Sequence, residues 1–247
     1  MSQLRYWVWL TTKTGLRPLA LRRLREHFGT PMEIYFAPFG GYADVPDLTE
    51  RERALLEDKE LGRTEEILRI CQEKNIRILT MQDADYPERL RQIGDPPPVL
   101  YVRGRLPFLD ELPAIALVGT RRASAYGMKM ALKLGSEITS GGGCVVTGLA
   151  LGVDAAGARG ALSAGGSCVG VLGSAIDVDY PAANAGLIAD VAATGAVISD
   201  ASRSTIGSVR GSTPISASIR AARRAASGSG ISSTGQSSPW GMDCTER

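Results

Sequence analysis

The strongest chemical signal in the sequence is a turn in which a glycine, a threonine and an arginine follow a short apolar run. Gly119, Thr120 and Arg121 come directly after the apolar residues 115–118, and Ser124 stands where a helix is predicted to begin. A glycine there lets the backbone approach an anion closely, and the first amides of the next helix point toward it. An arginine adds a planar fork that matches phosphate oxygens. The turn is therefore predicted to bind a phosphate; the alternative is a tight turn whose arginine only faces solvent.

A second glycine turn follows the next apolar run. Gly148 and Gly152 enclose it, and Asp154 lies near the start of the following helix. Because parallel strands end at one edge of a sheet, the two turns are predicted to be neighbours that form a joint pocket. Asp154 is predicted to cap its helix and not to do chemistry. Asp177 and Asp179, after the third apolar run, either hydrogen-bond these loops or only form a turn.

No arrangement of residues for catalysis or metal binding stands out. His27 is the sole histidine, and it lies on a predicted helix, so neither a histidine-dependent hydrolase nor a histidine-rich metal site is expected. The first turn is neither the dinucleotide fingerprint GxGxxG nor the phosphate loop GxxxxGK[ST]. The sequence therefore predicts a phosphate-binding module without cofactor or metal, and not an enzyme.

These turns require a sheet whose strands alternate with helices. The predicted strands lie at residues 76–80, 99–102, 115–118, 144–147, 167–172 and 196–199. Helical patterns separate the last four, which predicts an α/β fold with a parallel sheet and ligands beyond the carboxyl ends of its strands. Residues 76–80 alternate like an edge strand. Residues 115–118 are predicted to be buried on both faces.

The chain divides into three parts by composition. Residues 1–72 are predicted to form a small helical domain, residues 73–200 carry the sheet, and residues 201–247 are rich in serine, arginine and glycine. The last part contains no core-forming run and is predicted to have low order. Arginines of the helical domain could hold a nucleic-acid backbone; the alternative is an ordinary solvated face. These arginines are Arg17, Arg22, Arg23 and Arg25.

Composition restricts the class of protein further. The 247 residues are 44% hydrophobic and 22% charged, with a net charge of +2, so no overall basicity announces a nucleic-acid partner. The four cysteines are far apart and form no CxxC pair, which favours a reducing compartment. No run is long enough to cross a membrane, and the start lacks a signal peptide. We expect a cytoplasmic protein without membrane contact.

A series of motifs, in order, resembles the DprA/Smf family of bacterial DNA-processing proteins. The motifs are Tyr86-Pro87 with Leu90, Pro97-Pro98-Val99-Leu100-Tyr101 with Gly104, Val118-Gly119-Thr120-Arg121 with Ser124, Tyr126 and Gly127, Thr147-Gly148-Leu149-Ala150 with Gly152-Val153-Asp154, Gly160-Ala161-Leu162, Val171-Leu172-Gly173, Asp177, Tyr180-Pro181 and Asn184. The resemblance covers about four-fifths of the chain. It implies an extended Rossmann-like domain behind a helical, SAM-like domain.

The resemblance also implies a function. Members of this family bind single-stranded DNA and deliver it to the RecA recombinase during natural transformation, and the Gly-Thr-Arg turn contributes to their basic DNA pocket. The residues then expected to bind DNA phosphates are Gly119, Thr120, Arg121, Arg122, Ser124, Tyr126, Gly148, Leu149, Gly152 and Asp154.

The sequence also departs from the family pattern. Leu151 stands where the family usually has arginine or lysine, and Ala158 where it has histidine. A second basic motif, Arg-Asn-Arg-Ile, is absent after Ser199-Asp200, and the family's homodimer surface lies in that missing half. We therefore expect weaker DNA binding and self-association, and a tail from about Ala201 that arose from a reading-frame change or misassembled coding DNA; genuine divergence is the alternative.

An enzyme remains the competing functional class. A nucleotide could bind in the same Rossmann-like pocket, as in lysine-decarboxylase-like phosphoribohydrolases. Those enzymes carry a Pro-Gly-Gly-x-Gly-Thr-x-x-Glu signature after a strand, and this sequence has no such segment. A DNA-binding recombination mediator is the favoured interpretation.

Overall fold

The computed structural model describes residues 3–201 and shows one six-stranded sheet flanked by helices. The strands are β1 (Arg77–Thr80), β2 (Val99–Gly104), β3 (Ala114–Ala116), β4 (Cys144–Thr147), β5 (Cys168–Val171) and β6 (Ala196–Ser199). The helices are α1 (Leu4–Thr12), α2 (Pro18–Phe28), α3 (Pro31–Phe36), α4 (Glu50–Glu57), α5 (Gly62–Glu73), α6 (Glu88–Arg91), α7 (Ala125–Ser140), α8 (Val153–Ser163) and α9 (Ala185–Thr194). The strand order is β1-β2-β6-β5-β4-β3. Apart from Ala201, the predicted low-order tail, residues 201–247, lies outside the described residues.

The sheet is mixed: the predicted parallel core is extended by two strands whose direction the sequence did not indicate. Strands β3, β4, β5 and β6 are parallel, as predicted, but β2 pairs antiparallel with both β6 and β1. A parallel neighbour needs a crossover that packs across the sheet, usually a helix. The connection between β1 and β2 contains only the four-residue helix α6, which forms no such layer. The α/β class and the parallel arrangement of the core strands are confirmed, and the two extension strands add an antiparallel part to the sheet.

Strand β3 lies at an edge of the sheet, and this corrects the expectation that it is buried on both faces. Within the described residues its only strand partner is β4, and Ile115 is 44% exposed. A run of apolar residues indicates a strand but not its place in the sheet. The two strands in the middle of the parallel part, β4 and β5, are buried at every residue.

Helices α7 and α8 pack on each other without intervening side chains. A Cβ added to Gly135 on α7 would lie 2.1 Å from the carbonyl oxygen of Gly157 on α8. A Cβ added to Gly160 would lie 2.0 Å from the carbonyl oxygen of Leu132. Glycine is required at such close approaches because any side chain would clash with backbone atoms. The two helices therefore hold their N-terminal ends, and the turns that precede them, at a fixed spacing.

Two apolar clusters fill the interior. One includes Trp9, Leu24 and Leu56 and lies among the helices of the N-terminal region; the other covers the sheet. Helix α1 contributes to both, because Trp7 and Val8 belong to the sheet cluster. The predicted domain boundary at residues 72 and 73 stays a prediction. Within residues 3–201 no helix is long and apolar enough to cross a bilayer.

Candidate nucleic-acid interface

The two predicted glycine turns meet at the carboxyl edge of the parallel strands. The amide of Val153 donates to the carbonyl of Thr120 at 3.2 Å. A Cβ on Gly152 would lie 2.2 Å from that same carbonyl oxygen, and Gly152 has φ +81°. A Cβ on Gly119 would lie 2.7 Å from the Cβ of Val153. Both glycines are thus needed for the turns to touch, and the predicted adjacency of the two turns is confirmed.

The buried carboxylate of Asp154 links the two turns. Its Oδ1 accepts a hydrogen bond from the Gly119 amide at 3.0 Å, and its Oδ2 accepts one from the Gly148 amide at 3.1 Å. Burial raises the pKa of this carboxyl above its ordinary value, while the hydrogen bonds from the two amides act to lower it. The expectation that Asp154 caps its helix was wrong: the capping position is Gly152, and no side chain caps α8. Asp154 instead fixes the position of one turn on the other.

The first two residues of the second turn are buried and closed to a ligand. Leu149 is fully buried and has φ 53°, and its carbonyl accepts a hydrogen bond from Asn184 Nδ2 at 2.9 Å. Gly148 and Asp154 are also buried. Three residues expected to contact phosphate, Gly148, Leu149 and Asp154, are corrected here: they lie beneath the surface and build the turn. Asn184 completes this support, and it stood among the family motifs without a role assigned to it.

The first turn, residues 119–124, is open, and we call it the basic turn. Thr120, Arg122 and Ser124 are exposed, and Arg121 is half-buried. Within residues 3–201 neither arginine has a carboxylate within salt-bridge distance. The amide of Arg122 donates to Thr120 Oγ1 at 3.2 Å, which orders the backbone between the two guanidinium groups. Two cations on an ordered, exposed turn match what a phosphate requires.

Helix α7 adds backbone donors to the basic turn. Ser124 caps this 16-residue helix, because its Oγ accepts from the Gly127 amide at 3.1 Å. Its carbonyl accepts from Met128 at 2.9 Å. The amides of Ala125 and Tyr126 precede these bonds and belong to the orphan donors of a helix start, where the helix dipole also favours an anion. The Tyr126 side chain is 73% exposed beside them.

The surroundings of the basic turn are also positive. Lys129 on α7 and Arg159 on α8 are exposed, and the described residues provide no carboxylate partner for either. From residue 114 to residue 170 the only acids are Glu137 and the buried Asp154. Glu137 lies 3.6 Å from Lys133, so its charge is already balanced. The protein as a whole is nearly neutral, yet this edge presents a local excess of cations.

Asp177 and Asp179 do not join the turns. Asp179 pairs with Arg103 at 2.6 Å, and Asp177 lies 3.7 Å from Lys74. Both carboxylates therefore balance cations of other elements.

Fold and site together define a Rossmann-like α/β protein with an exposed basic turn at the carboxyl edge of its sheet. Residues 77–210 match the family described as DNA recombination-mediator protein A. The chain belongs to this family, which confirms the resemblance seen in its motifs.

Three relatives illustrate the match. The Synechocystis protein Smf is 31% identical over 207 residues, which cover 81% of this chain and 51% of the relative. The Streptococcus pneumoniae DNA processing protein DprA is 39% identical over 106 residues, covering 41% of this chain and 36% of the relative. The X-ray structure of DprA from Streptococcus pneumoniae superposes with a TM-score of 0.68 at 25% identity, over 91% of this chain and 74% of that one. The chain thus spans about half the length, or less, of these curated relatives.

Proposed function

We propose that this protein binds single-stranded DNA through its phosphate backbone at the basic turn. The observation that carries the proposal is the pair of arginines, Arg121 and Arg122, which lack a carboxylate partner within residues 3–201 and stand on a turn fixed by Asp154. Thr120 and Ser124 offer hydroxyls on the same surface, and Gly119 and Gly152 set its backbone. Membership of a recombination-mediator family supports a DNA ligand.

The exposed Tyr126 favours a single strand over a duplex. A flat aromatic side chain beside a phosphate ligand can stack on an unpaired base, and such stacking is worth about 1–3 kcal/mol per base. In a duplex the base faces are covered by neighbouring bases. Phosphates held by the basic turn and a base stacked on Tyr126 would together select single strands without reading their sequence.

The role we infer for the bound strand is delivery to the RecA recombinase during natural transformation. The family description as a recombination mediator and the relatives called DNA processing proteins support this role. RecA is the protein partner that the proposal requires.

We infer a binding role and not a catalytic one. The cysteines of the described region are all buried, and burial raises the pKa of the Cys71 and Cys144 thiols to about 11. Burial also raises the pKa of Cys168. Thiols of this kind are protonated at neutral pH and inert as nucleophiles. Within residues 3–201 no group of three acidic, histidine or cysteine side chains is placed to hold a metal.

Fluorescence anisotropy with a labelled oligothymidylate tests the proposal directly, with the same sequence as a duplex for comparison. Arg121→Ala should weaken single-strand binding by about 1–3 kcal/mol, the range of a hydrogen bond to a charged group. Lys133→Ala is the matched control, because Lys133 is exposed on α7 but already lies near Glu137. A nucleotide-hydrolysis assay on the same samples tests the enzyme alternative. Equal affinity for duplex and single strand, or equal effects of the two substitutions, would contradict the proposal.

A further inference from the structure

A cleft separates helix α2 from the proline-rich loop before β2. Its volume is about 580 Å³, and its wall includes Leu21, Arg22, Arg25, Met81, Ile93 and Pro96. The cleft is large enough for a ligand of nucleotide size, and its wall combines apolar surface with arginines. Sites for small organic ligands show this composition of mostly apolar lining and a few placed polar groups.

Two of the four arginines noted in the sequence are committed to the fold. Arg17 forms two hydrogen bonds of 2.9 Å to the buried carboxylate of Glu52. Arg23 pairs with Glu26 at 2.9 Å and with Asp47 at 3.0 Å. Neither guanidinium could bind a ligand strongly without losing an ion pair.

The other two arginines line the cleft and are less committed. Arg25 has no carboxylate within salt-bridge distance among residues 3–201, and its Nη1 contacts only the sulfur of Met81, at 3.3 Å. Its Nε is buried without a hydrogen-bond partner there. Because that nitrogen is covered by protein atoms, only the terminal nitrogens of the guanidinium can reach a ligand in the cleft. Arg22 lies 3.9 Å from Glu26, at the limit of an ion pair.

Other charges at the cleft are already engaged. Arg91 donates to the carbonyls of Met81 at 3.0 Å and Asp83 at 3.1 Å, so it holds the rim in place. Asp95 and Asp200 also line the cleft, and each already has an interaction partner. The positive charge available to a ligand in the cleft is therefore that of Arg25, with Arg22 beside it. A ligand that uses this charge must be an anion.

The cleft lies on the same edge of the sheet as the basic turn. Strand β1 runs parallel to β6, because β2 is antiparallel to both. Met81 follows β1 and Asp200 follows β6, while the basic turn follows β3, so cleft and turn lie beyond the carboxyl ends of parallel strands. Arg25 contacts Met81, which follows β1, and β1 lies five strand spacings from β3. At about 4.8 Å per strand these spacings amount to about 24 Å, which an extended single strand of several nucleotides can span.

We propose that this cleft is a second binding site for a nucleotide unit of the same single strand. The phosphate binds Arg25 and Arg22, and the sugar or base packs on the apolar wall formed by Leu21, Ile93 and Pro96. The bound strand then runs from the basic turn along the carboxyl edge of the sheet into the cleft. This inference rests on the proposed single-strand binding and adds a second contact point to it.

Binding of oligothymidylates of increasing length tests the inference. We use lengths from about 4 to about 16 nucleotides, the range covered by single-strand-binding modules. Arg25→Gln should weaken binding of the longest oligonucleotide by about tenfold, the loss of one charge-assisted hydrogen bond. The affinity of the shortest oligonucleotide for the basic turn should be nearly unchanged, because this oligonucleotide can occupy only one site at a time. Arg23→Gln is the matched control on the same helix, and it should alter no DNA affinity.

Each outcome separates the cleft from the basic turn. If Arg121→Ala weakens every oligonucleotide while Arg25→Gln weakens none, the cleft inference is overturned and the basic turn stands. If wild-type protein binds no single strand, the proposed function fails as well. If a labelled acidic peptide binds in a way that depends on Arg25, and DNA does not displace it, the cleft is a site for a protein partner. That result would overturn the inference that the cleft binds a nucleotide. A drop in affinity confined to longer strands with Arg25→Gln supports the inference, provided that thermal unfolding is unchanged.

Discussion

The two glycine turns follow neighbouring parallel strands and precede neighbouring helices, yet the first is exposed and the second begins with two buried residues. Residues 119–124 leave hydroxyls, guanidinium groups and helix-start amides at the surface. In the second turn Gly148 and Leu149 are buried, and the first amide of the helix that follows, that of Val153, already donates to the Thr120 carbonyl. A glycine turn before a helix is therefore not enough to make an anion site.

What distinguishes the two turns is whether the protein itself fills the helix start. At α8 the Val153 amide already donates to Thr120, and the Asp154 carboxylate takes the amides of both turns. The first amide of α8 is thus already satisfied within the protein, and the Asp154 carboxylate accepts from amides of the two turns and not from amides of the helix. At α7 only the Ser124 cap is present, so donors remain for a ligand. The second turn therefore supports the first turn, which stays open to a ligand.

The largest expected effect comes from forcing the two turns apart. Gly152→Ala places a Cβ 2.2 Å from the Thr120 carbonyl at a φ of +81°, so we expect a loss of about 3 kcal/mol or more in the free energy of unfolding. Gly142→Ala is the control, because Gly142 also has φ +81° but a Cβ there meets nothing within 4 Å. It should cost about 1 kcal/mol, from the backbone conformation alone. Equal losses in urea denaturation would show that the contact between the turns does not matter.

A smaller loss should follow from removing the carboxylate that joins the turns. Asp154→Asn keeps the shape but turns an NH₂ toward one of the two amides, so we expect about 2 kcal/mol of destabilisation. Single-strand affinity should fall as well, since Arg121 loses its fixed support. Asp190→Asn, at an exposed position on α9, should change neither property. Full stability in Asp154→Asn would show that the two hydrogen bonds are not the link between the turns.

Ser124 distinguishes capping from ligand binding at the open turn. Ser124→Ala should cost about 1 kcal/mol of stability through the lost cap. Ser124→Asp should restore the cap and the stability, because aspartate is an equally good capping residue. It should nevertheless weaken DNA binding, since it adds a negative charge beside Arg121 and Arg122. If Ser124→Asp binds DNA as tightly as wild type, the phosphate does not lie at this helix start.

Much of the fold could be predicted from the sequence because its signals are local. The apolar runs that became β4, β5 and β6, with the helical patterns between them, predicted the alternation of strands and helices in a parallel sheet. The exposed turn at Gly119 followed from a glycine and an arginine at the end of a strand. The edge position of residues 76–80 followed from their alternation, and β1 confirms it.

The remaining features depend on contacts between distant parts of the chain. Nothing near Asp154 indicated that its carboxylate would reach Gly119, 35 residues earlier. The position of β3 at the edge could not be read from its apolar residues, because burial depends on which strands lie beside it. Leu149 was assigned to the ligand surface from its motif alone, although its side chain packs against Gly170 inside the sheet. The motifs therefore identified the right region, but they did not distinguish residues that support the turn from residues placed to contact a ligand.

The salt dependence of single-strand binding tests the open turn most directly. The logarithm of affinity should fall linearly with the logarithm of salt concentration, with a slope of about −0.7 per phosphate contacted. In the double variant Arg121→Ala, Arg122→Ala the slope should become shallower by about 1.4, as two phosphate contacts are lost. The free energy of unfolding should stay within about 0.5 kcal/mol of wild type, because both arginines lie at the surface. An unchanged slope and affinity in a fully folded double variant would contradict the assignment of the basic turn to DNA phosphates.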